Sequence, residues 1–209
     1  MTDENRLGAV EGNRLSLDFV NLPFTPGDPA PHTTSWLELI DFLAGKGIVS
    51  EARGEELRNL PENDPRAAES LLHAAERLGN GLRAALRAAT RNDRIHREWV
   101  EPVNEILRIT EGHDELGWDG AGWRLGFQAK HEGLEWLLAA IARSGAELIA
   151  LGASPNLRLC DNTNCNLLFF DDSRTHRRRW CSMALCGNRS KVAAFARRQV
   201  GEKARAQHA

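Results

Sequence analysis

The chain has 209 residues, 42% of them hydrophobic, with 27 Lys+Arg against 29 Asp+Glu and four cysteines. That length suits one domain, or one plus a small appendage, and the apolar share is enough for a core, which excludes wholesale disorder. No stretch reaches the roughly 18 uninterrupted apolar residues of a membrane span, and the first ten residues carry acids where a secretion signal needs basic ones, so a soluble, cytoplasmic protein is expected.

The elements follow in chain order. Leu15, Leu17 and Phe19 alternate with polar residues and predict a half-buried strand ending near Asn21. Residues 25–31 are rich in Pro and Gly and read as loop. Ser35 with Glu38 three positions on is a capping box, and Trp36, Leu39, Ile40 and Leu43 form the apolar face of the helix it starts. A second short helix is expected over residues 50–60. From 66 to 91, Leu71, Ala75, Leu78, Leu82, Ala85, Leu86 and Ala89 recur at threes and fours, which predicts a long amphipathic helix with a kink at Gly79 and Gly81. Pro102 suits the first turn of the next helix, with Val103, Ile106 and Leu107 inward.

Leu116 and Trp118, then Trp123, Leu125 and Phe127, flank a Gly-containing tip and predict a β-hairpin with two tryptophans opposed. Residues 130–151 form another helix, and 152–155 read as a hinge. The body, residues 1–153, is therefore mostly helical with a few strands, and residues 154–209 form a second domain.

Charge divides the same way. Residues 1–157 hold 16 basic and 25 acidic side chains, whereas residues 158–209 hold 11 and 4. An acidic body with a basic end points to a polyanion partner. All four cysteines fall in that basic end, as Cys160-x4-Cys165-x15-Cys181-x4-Cys186. Clustered, paired cysteines in a cytoplasmic chain point to a metal. Four thiolates suit tetrahedral zinc in a closed, structural site; an iron–sulfur cluster, or buried or disulfide-bonded cysteines, are the alternatives.

Between the pairs, residues 167–170 and 175–180 read as two strands of a hairpin. After the second pair comes a helix with Val192, Phe195, Ala196 and Gln199 on one face and Lys191, Arg197 and Arg198 on the opposite arc. Cysteine pair, hairpin, cysteine pair and helix describe a treble-clef-like module, and the whole chain is α+β.

Trp180-Cys-Ser-Met183 followed by Cys186-Gly-Asn-Arg189, with Cys160-Asp upstream and Phe169-x-Asp171-x-Ser173-Arg174 between, resembles the signature of the CGNR zinc-finger family. Leu15-Ser-Leu-Asp-Phe-Val-Asn21 and the apolar pattern from Trp36 to Leu43 are similar to the ABATE domain that precedes that finger. The resemblance implies a stress-related transcription regulator.

On the residues themselves, Arg177, Arg178, Arg179, Lys191, Arg197 and Arg198 are the candidates for binding double-stranded DNA; pairing of these cations with the acidic body is the competing reading. The basic surface lacks interleaved aromatics, which favours DNA over single-stranded RNA. Asp18, Asn21 and Arg83 are polar residues among apolar ones and are candidates to bind a small-molecule effector, or else to cap elements and face solvent. Homodimerisation is expected by analogy with regulators that read paired half-sites. No nucleophile elbow, phosphate loop or metalloprotease motif occurs, so an enzyme is not expected. The alternatives to DNA binding are a protein-interaction module and a thiol-based redox switch.

Overall fold

The computed structural model describes residues 15–24, 32–118, 122–130, 133–150, 156–193 and 199. They fall into two compact units. The first takes its described residues from 15–20, 34–118, 122–130 and 133–150; the second comprises 156–193 and 199 together with residues 21–24, 32 and 33, remote from it in sequence.

Helix α1 spans residues 15–21, of which 15–20 belong to the first unit. The expected strand is a helix. Ser16, Leu17, Phe19 and Val20 are buried while Asp18 is exposed, a one-sided helical pattern that alternation over five residues cannot be told from. Buried Ser16 is satisfied by Ser144, whose Oγ accepts the Ser16 N–H at 3.1 Å. The helices that follow are α2 (Trp36–Gly45), α3 (Glu51–Arg58), α4 (Leu60–Asn63), α5 (Pro65–Thr90) and α6 (Arg97–Arg108). The Ser35–Glu38 capping box at the head of α2 is fully formed. Asp64 caps α5 by accepting the Ala67 N–H at 3.0 Å.

Helix α5 is the centre of this unit and packs on α2, α4, α6 and α7 (Ala139–Ala150). Its Leu71, Leu78, Leu82 and Leu86 are completely buried, as are Leu39, Ile40 and Leu43 of α2 and Ile141 of α7. Each such side chain contributes roughly 1.5–3 kcal/mol of hydrophobic burial. The glycines of α5 do not break the helix. Gly81 lets a neighbour approach: a Cβ there would lie 2.4 Å from the Trp99 carbonyl oxygen of α6, whereas one on Gly79 would meet the Phe19 ring at an ordinary 3.5 Å. Gly145 of α7 serves the same end against Leu82.

Pro102 lies at the sixth residue of α6, not in its first turn. Burial of Val103 and Ile106, together with packing of the proline against Gly81, carries the helix through it. A 3-10 turn, Glu135–Leu138, leads into α7, so that helix starts later than periodicity indicated. Strands β1 (Gly112–Trp118) and β2 (Trp123–Ala129) form the expected hairpin. Trp118 and Trp123 are paired, with ring centroids 5.7 Å apart and edge to face, and both are exposed. The expected hinge at 152–155 lies outside the described residues. Among the described residues, no helix is long and apolar enough to cross a membrane.

Gly81→Ala tests the close α5–α6 approach. Alanine is intrinsically favoured over glycine in a helix by about 1 kcal/mol, yet here its methyl meets an immovable backbone oxygen. The expected outcome is a net loss of about 1–3 kcal/mol in urea unfolding; an unchanged or higher midpoint would show that the helices are further apart.

Candidate metal centre and basic surface

The second unit is built on two three-residue strands, β3 (Leu157–Leu159) and β4 (Leu168–Phe170), antiparallel with Leu157 opposite Phe170. Strand β4 was expected to pair with residues 175–180. It pairs upstream instead, and residues 175–180 form no strand. The physical reason is local: the Arg178 amide donates to the Asp171 carboxylate at 2.8 Å, which removes it from any ladder. The open side of β4 is closed by Asn21 of the same unit. Its Nδ2 donates to the Leu168 carbonyl at 2.6 Å and its Oδ1 accepts the Leu168 N–H at 3.0 Å, reproducing the two bonds of a neighbouring strand.

The β3–β4 turn carries the first cysteine pair. Cys160 N–H donates to Leu167 O at 3.0 Å, Cys165 N–H to Asn162 O at 2.8 Å, and Asn164 N–H to the Asn162 side chain at 3.1 Å. Of the second pair, Cys186 lies on a π-turn, Met183–Gly187, capped by Ser182, and Cys181 immediately precedes the cap. Both Cys186 and Gly187 donate to the Ser182 carbonyl at 3.0 Å. The wide four-residue spacing in each pair is what these two turns require. Helix α8, residues 188–193, continues from the π-turn. A Cβ on Gly187 would lie 2.5 Å from Met183 Sδ and 3.4 Å from the Trp180 ring, so the exposed Met183 side chain would have to shift.

The four sulfurs lie within 4.8 Å of one another. Cys165 to Cys181 is 3.8 Å and Cys181 to Cys186 is 3.7 Å. Sulfurs at about 2.3 Å from a tetrahedral zinc are about 3.8 Å apart, so the spacing fits that ion. Among the described residues these four are the sole group of metal-ligating side chains so arranged. Burial, together with the charge of Cys165 and against backbone hydrogen bonds, pushes the Cys160 thiol up; burial and the charge of Cys160 push the Cys181 thiol up. A dication reverses that penalty, since coordinated thiols are deprotonated.

One buried carboxylate organises the rest. Asp171 has no exposed surface. Its Oδ1 accepts from Ser173 N–H at 3.1 Å and Ser173 Oγ at 2.5 Å, its Oδ2 accepts from Arg178 N–H, and Arg158 Nε lies 3.4 Å away. Burial alone would raise its pKa, but the Ser173 and Arg178 hydrogen bonds and the Arg158 charge outweigh it and hold the carboxyl below its ordinary value.

The candidate DNA-binding residues separate on this frame. Arg177 and Lys191 are exposed and, among the described residues, make no ion pair or hydrogen bond through the side chain. Arg178 is half-buried: its Nε donates to the Trp180 carbonyl at 3.0 Å, its Nη2 donates to the Cys181 carbonyl, and it stacks 5.0 Å over Phe169. It fastens the second cysteine turn instead of standing free. Arg179 is exposed but paired with Asp161 at 2.7 Å and lies over Trp180. Arg197 and Arg198 lie outside the described residues. Val192, on the helix face opposite the basic arc, is 69% exposed.

Asp18 pairs with Lys46 at 2.5 Å, Arg83 donates to the Val20 carbonyl at 3.1 Å, and Asn21 belongs to the second unit as described. Sequence reasoning missed the organising roles of Asp171, Arg158 and Asn21. The one available signal was Asp171 at the end of an apolar run, two residues before a serine, the spacing of an Asx turn.

The family described as "Putative stress-induced transcription regulator", ABATE, matches residues 13–152. The chain belongs to this family. The CGNR zinc finger matches residues 156–199 and so takes in all four cysteines. Among curated proteins no sequence matches significantly. Cys160, Cys165, Cys181 and Cys186 are thus the ligands of a structural zinc in a CGNR finger.

Asp171→Asn is expected to weaken the finger by about 1–3 kcal/mol, the cost of disturbing a buried charge-assisted network. Because zinc binding and finger folding are linked, zinc should pass to a chromogenic chelator at correspondingly lower chelator concentration. The native carboxyl titrates below its unfolded value of about 3.9, so its stabilisation is complete above that value and lost only as pH falls through the lower, native one. The difference between wild type and variant should therefore be flat from pH 6 to 8; a difference that grows or shrinks across that window would assign the effect to another group. Asn21→Ala should also loosen zinc, since it uncaps β4, and unchanged zinc transfer would show that the edge needs no cap.

Proposed function

We propose that this ABATE-family chain is a DNA-binding transcription regulator whose zinc finger contacts double-stranded DNA through its basic face. The observation that supports this most is the charge accounting of the finger. Its described carboxylates, Asp161, Asp171 and Asp172, lie beside Arg179, Arg158 and Arg178. Arg177 and Lys191 are left exposed and unpaired among the described residues. Exposed cations on a metal-held scaffold suit phosphates, which supply the salt-dependent part of DNA affinity.

In this reading the zinc does no chemistry. Four thiolates complete its shell and leave no position for water or substrate, so the role is regulatory and not enzymatic. The helical body supplies the regulation, in response to stress and in the cytoplasm, through an effector or a second copy of the chain.

The test is fluorescence anisotropy of zinc-loaded and EDTA-stripped protein against duplex fragments of its own genome, over a salt series. Binding should need zinc and should fall with log salt at a slope of about −4, as four to five phosphate contacts give. Silence of the loaded protein at low salt would overturn the proposal.

A further inference from the structure

The loop from Asp171 to Arg178 has no regular secondary structure, yet its conformation is heavily determined. The same carboxylate closes both its ends: Asp171 holds Ser173 at one side and the Arg178 N–H at the other. His176, at its turn, is left-handed with φ 48°, a conformation uncommon outside glycine although histidine is enriched there. Three contacts hold it so. Its N–H donates to Ser173 O at 3.0 Å, its Nδ1 lies 3.1 Å from the Asp171 carbonyl, and its own carbonyl accepts from Arg158 Nη2 at 2.7 Å.

The loop thereby engages two arginines internally, Arg158 and Arg178, and displays two others. Arg174 and Arg177 are exposed on it and, among the described residues, neither has an ion-pair or hydrogen-bond partner for its side chain. An ordered loop loses little backbone entropy on binding, so its displayed cations are worth more than cations on a tail.

We infer that Arg174 and Arg177 are a pair of phosphate contacts, presented by the carboxylate-closed loop, and that Arg178 is not one. The inference rests on the DNA-binding reading and names the residues that carry it. The ligand is the sugar–phosphate backbone of duplex DNA, which a guanidinium can grip with two parallel hydrogen bonds. Such contacts set position and affinity without reading sequence.

The experiment compares four zinc-loaded proteins of confirmed zinc content by anisotropy over a salt series. They are wild type, Arg174→Ala/Arg177→Ala, Arg174→Lys/Arg177→Lys, and an equal-charge control in the body, Arg91→Ala/Arg94→Ala, where both arginines are exposed. The alanine pair should lower the magnitude of the salt slope by about two, close to one unit per lost contact. The lysine pair and the body control should keep the wild-type slope. If wild type binds and the alanine pair leaves the slope unchanged, the loop does not touch phosphate and this inference alone fails. An equal loss in the body control would also overturn it, because net charge would then explain the effect. If wild type is silent on duplex DNA, the functional proposal fails and this one falls with it.

Discussion

Four sulfurs must be held within a few ångströms of one another by a segment that has little else to hold it. Its two strands are three residues each, and its buried cluster consists of Cys160, Cys165, Cys186 and Phe169, with Leu167, Trp180 and Cys181 against it. An isolated two-stranded ribbon is marginal in water, and so small a core rarely folds without a metal or disulfides. Zinc supplies the missing stabilisation, on the order of 10 kcal/mol in small metal-held domains. The backbone then has to turn sharply twice without leaving buried amides unpaired. The Asn162 turn and the Ser182-capped π-turn do so by directing the amides of both second cysteines to local carbonyls. Every further feature of the finger is arranged around that condition, including Asn21, which replaces a third strand with one side chain.

The body shows the opposite solution. It has a conventional apolar core centred on α5, and no metal-ligating cluster occurs among its described residues. Its economy lies in distance, not in ligands. Gly81 and Gly145 remove side chains where α5 meets α6 and α7, so backbone and leucine can meet directly. Packing at interior density loses contacts with every small gap, which is why a residue unfavourable to helices sits in the middle of the longest one.

Much of this was legible from the residues. The Ser35 capping box, the long α5, the Trp118–Trp123 hairpin and the four-cysteine site all rest on local chemistry: a side chain reaching its own backbone, a period, a turn, a soft ligand. Most of what was illegible depended on partners distant in sequence. Residues 15–19 alternate, yet they form a helix, because the burial of Ser16 against Ser144 rewards a geometry that five residues cannot specify. The pairing of β4 was illegible for a different, local reason: the Arg178 amide is taken by the side chain of Asp171, seven residues before it. The glycines of α5 were visible, but only the proximity of Trp99 explains the one at 81.

The run Arg177-Arg178-Arg179 shows why charge counted along a sequence overstates the charge available to a partner. Three adjacent guanidinium groups meet three different surroundings. Arg178 is drawn inward because the Trp180 and Cys181 carbonyls, exposed by the turn into the second cysteine pair, need donors. Arg179 neutralises Asp161, which sits in the first cysteine turn. Of the three, Arg177 alone is exposed and without an ion pair or hydrogen bond among the described residues. A guanidinium bonded to carbonyls still carries its charge and adds to the finger's field, which steers a polyanion from a distance. The N–H groups it spends on those carbonyls are withdrawn from phosphate, which leaves fewer of its five donors for contact. Long-range attraction therefore follows the whole positive count, whereas contact affinity follows only the cations that the metal-held frame leaves free.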